Sequence, residues 1–241
     1  MWNQYYNLKL TNLDIQKGRH RSKVGGMWDE MGKKQLGFMQ EMGLKPQHEL
    51  LDVGCGSLRG GIYFIKYVNE GKYCGLDINS SLIEAGRAEI KKANLTGKKP
   101  MLLVNDHFQF KLFNKKFDYA IAQSVFTHLP INVIQRCLIN IEKVLNPGGK
   151  FYATFFETND DFNDDPVNQP GGPITYLDKD PYHYHLSIFE YFIKDSSLRL
   201  EYIGDWGHPR NQKMICFTKM EQPASNRDPK GDKFEGEEEP N

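Results

Sequence analysis

A glycine-rich stretch, LLDVGCGSLRGG, occupies residues 50–61 and follows an apolar run. Gly54 and Gly56 permit a tight turn and a close approach of the backbone to a ligand. Turns of this kind after a strand commonly bind phosphate groups. Asp52 lies two residues before the turn, however, and its carboxylate would repel a phosphate. The pattern therefore favours a ligand with a positively charged end.

The glycine spacing also departs from the GxGxxG fingerprint of nicotinamide dinucleotide sites, because the third glycine falls one residue late and Arg59 stands in its place. S-adenosylmethionine fits the carboxylate better, since it has no phosphate but carries a sulfonium and an α-ammonium group. The stretch thus predicts this cofactor, bound by Asp52, Gly54, Cys55 and Gly56. An NAD(P)-dependent oxidoreductase stays open as the alternative.

Acids follow the next two apolar runs as well. Asp77 and Ile78 end the second run, and an acid about twenty residues beyond the glycines accepts hydrogen bonds from ribose hydroxyls. The alternative is that Asp77 only begins the next helix. Asn105 and Asp106 end the third run, where an acid or amide can accept a bond from an adenine amino group, and Phe108 could cover the ring. An ordinary turn is the alternative there.

These residues must be positioned by the elements around them. The first five predicted strands are short apolar runs without clean alternation, as expected for strands covered on both faces. Helices are predicted over 80–95, with Ser80 as the N-cap, and over 130–145, where Pro130 stands at the entry. This alternation indicates βαβ units, a mainly parallel sheet and helices on both faces. The predicted strands are 49–53, 72–78, 100–105, 117–123, 150–157, 198–206 and 212–219.

In this order the motifs resemble those of the class I S-adenosylmethionine-dependent methyltransferases. The resemblance covers roughly residues 48–157 and rests on LLDVGCGSLRGG, YCGLDIN, LLVND, FDYAIAQSVFTHLP and VLNPGGKFYATFFE. It implies a Rossmann-like three-layer sandwich with a seven-stranded, mainly parallel sheet and an antiparallel last strand. It also implies these cofactor contacts: Asp52, Gly54 and Gly56 at the methionine portion, Asp77 at the ribose, Asp106 at the adenine amino group and Gln123 near the sulfonium.

The rest of the chain is expected to serve the acceptor. Residues 1–47 are predicted to form an N-terminal cap, 48–219 the cofactor-binding domain, and 220–241 a disordered tail with almost no apolar content. Within the domain, 158–185 form a long turn-rich insertion, and such loops are usually functional or disordered. We expect this insertion to act as a lid and to form the acceptor site with the N-terminal segment.

The composition of the insertion suits a polar organic acceptor, since acids and aromatic residues alternate with turns. The segment GRHRSKVGGMWDE is similar to a cap in one bacterial branch of the family, which implies that Gly25 and Trp28 close over the cofactor. The acids are Asp160, Asp161, Asp164 and Asp165, and the aromatic residues are Phe162, Tyr176, Tyr182 and Tyr184.

Histidines supply the candidates for proton transfer. His128 follows the fourth predicted strand, and a histidine there suits a general base because the side chain titrates near neutral pH. A purely structural role, such as capping the next helix, is the alternative. His183 and His185 lack a third spaced ligand, so contact with the acceptor is favoured over metal binding. His208 is expected to be structural.

Composition excludes several functions. Lys+Arg and Asp+Glu both total 31, and this zero net charge disfavours nucleic acid as a partner. Residues 123–126 read QSVF, which is neither the Asn/Asp-Pro-Pro-aromatic tetrad of amino methyltransferases acting on nucleic acids nor the acid that a magnesium-dependent catechol enzyme requires. The four cysteines have no C-x-x-C spacing and are expected to be buried free thiols.

No apolar run approaches the length of a membrane span, and no signal peptide is evident, so a cytoplasmic protein without membrane contact is expected. The sequence as a whole predicts a metal-independent methyltransferase that acts on a small-molecule acceptor, more often at oxygen than at nitrogen. A cofactor-binding protein that has lost its activity is the non-enzymatic alternative.

Overall fold

The computed structural model describes residues 5–159 and 164–221. Asp160, Asp161, Phe162 and nearly all of the predicted tail lie outside this part of the chain. The helices within it are α1 (Asn12–Gln16), α2 (His20–Lys23), α3 (Trp28–Glu41), α4 (Gly61–Tyr67), α5 (Ser80–Lys92), α6 (Ile131–Glu142) and α7 (Ser187–Ile193). The strands are β1 (Leu50–Val53), β2 (Tyr73–Asp77), β3 (Met101–Val104), β4 (Phe117–Ala122), β5 (Leu145–Glu157), β6 (Val167–Asn168), β7 (Ile174–Thr175), β8 (His183–Tyr184), β9 (Leu198–Asp205) and β10 (Lys213–Lys219).

The main sheet has the strand order β3-β2-β1-β4-β5-β10-β9. Strands β1 to β5 are parallel to one another, and β10 runs antiparallel to both of its neighbours. The short β8 pairs with the end of β5, and β6 and β7 form a separate pair inside the insertion. The predicted Rossmann-like fold with an antiparallel last strand is confirmed.

Apolar side chains cover both faces of this sheet. Leu50 packs with Phe64 of α4, whereas the next residue, Leu51, belongs to the cluster that contains Ile134 of α6. This arrangement explains why the parallel strands lack polar alternation. All four cysteines are buried and free, as predicted. No helix in the described ranges has the length and hydropathy needed to span a membrane.

Two of the differences from the predicted boundaries are explained by specific contacts. The N-cap of α5 is Asn79, whose side chain accepts a hydrogen bond from the Leu82 N–H at 3.0 Å, so the assignment of Ser80 is wrong. Strand β5 begins at Leu145 because this residue already pairs with Phe117 across a register irregularity. The Asn-Pro-Gly-Gly sequence that follows therefore bends the strand without ending it.

Helix α3 packs closely against the loop that follows the glycine turn. A Cβ on Gly32 would lie 2.4 Å from the Tyr63 ring and 2.5 Å from the Arg59 carbonyl oxygen. We expect Gly32→Ala to lower the free energy of unfolding by about 1–3 kcal/mol, because the helix must move to relieve the clash.

Gly37 provides a matched control in the same helix, since a Cβ there meets nothing within 4 Å. Gly37→Ala should raise the free energy of unfolding by about 0.5–1 kcal/mol, as expected when glycine is replaced inside a helix. Urea unfolding of both variants tests the pair, and equal effects would contradict close packing at Gly32.

Candidate functional site

Three neighbouring cavities open where β1, β2 and β4 deliver their carboxyl ends, the place where parallel sheets bind ligands. The strand-end cavity is lined by residues after β2 and β3, among them Asp77 and Phe108. The turn cavity is lined by Asp52 and the glycine turn. The cap cavity lies between the N-terminal segment, the insertion and the β9–β10 turn, and its lining includes His128 and Arg210.

Every residue predicted to contact the cofactor from the glycine turn and the strand ends lines the strand-end or the turn cavity. The strand-end cavity is lined by Gly54, Asp77, Ile78, Asn105 and Asp106. The turn cavity is lined by Asp52, Gly54, Cys55, Gly56 and Gln123.

The glycine turn depends on missing side chains. Gly54 and Gly56 have φ values of 68° and 54°, in the left-handed region that favours glycine. A Cβ on Gly54 would lie 2.5 Å from Cγ2 of Val125, so a larger residue would fill the turn. The Gly56 N–H donates to Oδ2 of Asp77 at 2.9 Å. This hydrogen bond holds the glycine turn against the end of β2.

Asp77 is a buried acceptor. It accepts hydrogen bonds from the backbone N–H of Gly56 and, at 2.8 Å, from that of Asn79. Burial raises the pKa of Asp77 to about 6, although these backbone bonds act in the opposite direction. Because Asn79 caps α5, Asp77 is not the helix cap, and its carboxylate faces the strand-end cavity.

Asp52 is buried beneath the turn cavity. Its Oδ2 accepts a hydrogen bond from the Tyr73 hydroxyl at 2.7 Å. Burial raises the pKa of Asp52 to about 7, the Tyr73 bond lowers it, and the charge of Asp77 raises it further. No basic side chain of the described residues forms an ion pair with Asp52 within 4.0 Å. A cationic ligand in the turn cavity would therefore stabilise the ionised carboxylate.

The residues after β3 divide between shaping the loop and facing the cavity. Oδ1 of Asn105 accepts from the N–H groups of His107 and Gln109, so this side chain holds the turn. Asp106 is partly exposed at the cavity rim. Phe108 is buried, with a φ of 55°, and lines the same cavity, where the sequence predicted a ring cover.

The N-terminal segment covers the site through Tyr5, which lines all three cavities and was not predicted. The Tyr5 carbonyl accepts a hydrogen bond from Nδ2 of Asn79 at 2.8 Å. The Tyr5 ring meets the His128 ring edge-on, with centroids 5.2 Å apart. Tyr5 therefore connects the start of α5 with the candidate base.

An ion pair holds the segment before α3 in place. His20 and Arg21 both bind the Glu89 carboxylate of α5, each at 2.9 Å. Trp28 packs against these two residues, with the Arg21 guanidinium 4.8 Å from its ring centroid. Trp28 therefore lies outside the three cavities, contrary to expectation, whereas Gly25 lines the cap cavity.

His128 lies between the strand-end cavity and the cap cavity and lines both. Its Nδ1 bonds to Oδ1 of Asp180 in the insertion at 2.5 Å. It does not cap α6, which begins after Pro130 without a side-chain cap. A carboxylate on Nδ1 orients the imidazole ring, as in a general base that transfers the proton through its Nε2 atom. Asp180 was missed because no local motif relates it to His128.

The Gln123 side chain forms hydrogen bonds to residues that line the turn cavity and the cap cavity. Its Oε1 accepts from Nη2 of Arg59 at 2.7 Å and from Nε2 of Gln35 at 3.2 Å. The next residue, Ser124, has a φ of 56° and lines all three cavities. Its N–H donates to Oγ1 of Thr154 at 2.7 Å, which fixes the backbone at this point. Arg59, which the sequence marked only as a departure from the dinucleotide pattern, is thus oriented into the site.

The insertion contributes different residues from those expected. Pro173 and Pro181 line the cap cavity. His183 is fully buried, with Nδ1 on the Thr175 hydroxyl, and His185 bonds to Ser187 at the start of α7. The expected contact with the acceptor is therefore wrong for His183, whereas for His185, which is not among the residues lining the three cavities, it stays a prediction. No cluster of three possible metal ligands occurs among the described residues.

Tyr182 and Tyr184 are also core residues and not cavity residues. His208, expected to be structural, instead lines the cap cavity. Burial and the charges of Arg59 and Arg210 lower its pKa to about 4, so the ring is neutral near pH 7.

Comparison with known proteins finds similarity to methyltransferases. Residues 51–151 match a family model described as a methyltransferase domain. An 18S rRNA (guanine(1575)-N(7))-methyltransferase from Saccharomyces cerevisiae is 30% identical over 143 residues, which are 55% of this chain and 49% of that protein. The chain spans half or less of the length of the curated relatives it matches.

Solved structures show the same fold at low identity. A magnesium protoporphyrin IX methyltransferase from Synechocystis PCC 6803 with bound SAM has a TM-score of 0.58 and 14% identity, over 90% of this chain and 89% of that one. DesVI from Streptomyces venezuelae has a TM-score of 0.60 and 16% identity, over 87% of this chain and 99% of that one.

Proposed function

We propose that the protein is a class I S-adenosylmethionine-dependent methyltransferase that transfers a methyl group to a small molecule, with residues 51–151, which match a methyltransferase domain, as the cofactor-binding part. The observation that carries the proposal is the pair of buried carboxylates, Asp52 and Asp77, on two joined cavities beside the glycine turn. Bound S-adenosylmethionine supplies an electrophilic methyl group. The remaining chemistry is done by the residues of this chain.

The side chains on the two cavities match the chemical groups of the cofactor one by one. Asp77 is the acceptor for ribose hydroxyls, and Asp106 with Phe108 is the surface for the adenine. Asp52 provides negative charge in the turn cavity, where an α-ammonium group is stabilised. Gly54 has no Cβ, and a Cβ at this position would occupy the space inside the turn.

His128 is the proton acceptor in this proposal. A neutral hydroxyl must lose its proton as it becomes a nucleophile, and a base within reach lowers that barrier. Asp180 holds the ring so that Nε2 accepts the proton, and it stabilises the imidazolium that results. Tyr5, Ser124 and the insertion enclose the site, which aligns the acceptor and excludes water.

The net charge of the chain and the enclosure of the cap cavity favour a small-molecule acceptor. The chain has no net charge, whereas proteins that bind RNA through its phosphates use basic surfaces. The cap cavity is lined by several separate parts of the chain, as expected for a site that encloses a small molecule. RNA is the competing acceptor, because the yeast relative is an rRNA methyltransferase.

An isotope experiment separates these acceptors. The protein is incubated with radiolabelled S-adenosylmethionine and either total RNA or a small-molecule extract, and the label is then fractionated. Label in small molecules supports the proposal, and label in RNA alone contradicts it. Stabilisation of the fold by NAD but not by S-adenosylhomocysteine would instead favour an oxidoreductase.

The two carboxylates also predict how cofactor binding depends on pH. Asp52 and Asp77 have pKa values raised to about 7 and about 6 by burial, so each is partly protonated in the free protein. A ligand that requires their ionised forms binds more tightly as the pH rises, here from about pH 5 to 8, and releases protons on binding. Titration calorimetry with S-adenosylhomocysteine in two buffers of different ionisation enthalpy measures both effects. A constant affinity, or one equally pH-dependent in Asp52→Asn, would contradict this role of Asp52.

A further inference from the structure

Two arginines from distant parts of the chain converge on Gly25 and Gly26, two adjacent glycines of the N-terminal segment. Nη1 of Arg59 donates to the Gly26 carbonyl at 3.0 Å, and Nη2 of Arg210 donates to the Gly25 carbonyl at 3.3 Å. A Cβ on Gly25 would lie 3.2 Å from Nη1 of Arg59 and 3.5 Å from Nη1 of Arg210. Both guanidinium groups line the cap cavity beside His128.

No acidic side chain faces this pair across the cap cavity. Among the described residues, no carboxylate lies within ion-pair distance of Arg59 or Arg210, and the lining of the cap cavity contains no Asp or Glu. Burial lowers the pKa of Arg59 to about 10; the charge of Arg210 acts in the same direction, and the charges of Tyr5 and Asp52 act in the opposite direction. Both arginines are partly exposed, and an anion between them would offset the repulsion of their like charges.

We propose that the methyl acceptor carries a carboxylate that binds between Arg59 and Arg210, with its nucleophilic group next to His128. This inference rests on the proposed function and names the acceptor class for the same site. The guanidinium group matches a planar carboxylate through paired N–H donors. Among the described residues, no lysine lines the cap cavity. Arg59 also lines the turn cavity, whereas Arg210 lines the cap cavity and not the turn cavity. Arg210 is therefore the residue that distinguishes acceptor from cofactor.

Calorimetry on the complex with saturating S-adenosylhomocysteine tests this directly. The probes are benzoate, phenylacetate and 3-phenylpropanoate, each compared with its neutral amide. We expect at least one carboxylate to bind on the order of tenfold more tightly than its amide, since a hydrogen bond to a charged group is lost in the amide. Arg210→Met should abolish this preference, and Arg199→Met, which changes an exposed arginine of β9, should retain it.

The first titration, of S-adenosylhomocysteine alone, tests the proposed function separately, because it does not depend on Arg210. If no carboxylate binds the complex more tightly than its amide, the inference is wrong. Carboxylates that displace S-adenosylhomocysteine would also overturn it, since the arginines would then belong to the cofactor site. Tighter binding of phenyl phosphate than of benzoate would overturn the assignment of a carboxylate in favour of a phosphoryl group.

Discussion

His128→Asn is expected to lower kcat by about a hundredfold to ten-thousandfold while leaving the affinity for S-adenosylhomocysteine unchanged. The reason is that His128 lines the strand-end and cap cavities, and its Nδ1 is held by Asp180. Asparagine cannot accept the acceptor's proton. The rate is measured with the acceptor identified by isotope transfer.

Asp180 should act through His128 as a positioning residue. Asp180→Asn is expected to give a smaller loss of kcat than His128→Asn, and to shift the acidic limb of the pH–rate profile that His128→Asn abolishes. His48→Asn is the control, because His48 packs on Tyr119, away from the cavities. A profile unchanged in His128→Asn would mean that the histidine is structural.

Asp77→Ala is expected to weaken S-adenosylhomocysteine binding by about thirtyfold to a hundredfold, which corresponds to roughly 2–3 kcal/mol. The carboxylate is the buried acceptor at the end of β2, and alanine removes the charge-assisted bonds to two ribose hydroxyls that we propose for it. Calorimetry measures the change. Because alanine also removes the acceptor for the Gly56 and Asn79 N–H groups, Asp77→Asn is measured beside it and should give a smaller loss.

Asp118→Ala is the control for that loss of backbone bonding. Asp118 accepts from the Glu49 N–H at 2.9 Å, at the start of β4 and so at the opposite end of the sheet. Both alanine variants should lose stability in urea unfolding, but only Asp77→Ala should lose affinity. Equal affinity in the two variants would leave Asp77 with a structural role alone.

The grouping of the predicted cofactor residues around joined cavities could be predicted because its information is local. Asp52, Asp77 and Asp106 each lie at or near the carboxyl end of a short apolar strand, and the carboxyl ends of parallel strands converge at one edge of the sheet. Burial on both faces produces continuous apolar runs, so the main strands were found within a few residues of their bounds. The absence of a dinucleotide spacing around Arg59 was equally visible in the sequence.

The acceptor side was decided by tertiary structure. The insertion follows no hydrophobic period that fixes its path, so the expected contact of His183 with the acceptor was wrong and Asp180 was missed. Packing of Tyr182 and Tyr184 into the core and the pairing of β8 with β5 place Asp180 on His128. That contact depends on the path of the whole insertion and not on any local pattern.

The same holds for Arg59 and Arg210, which meet at Gly25 only because the N-terminal segment folds back over the sheet. The hydrogen bonds of His20 and Arg21 with the Glu89 carboxylate anchor that segment to α5. By itself, the sequence determined the sheet and the residues at its strand ends, because neighbouring residues encode them. Only the tertiary structure decided which charges face the acceptor, because those charges come from segments whose positions depend on packing across the whole domain.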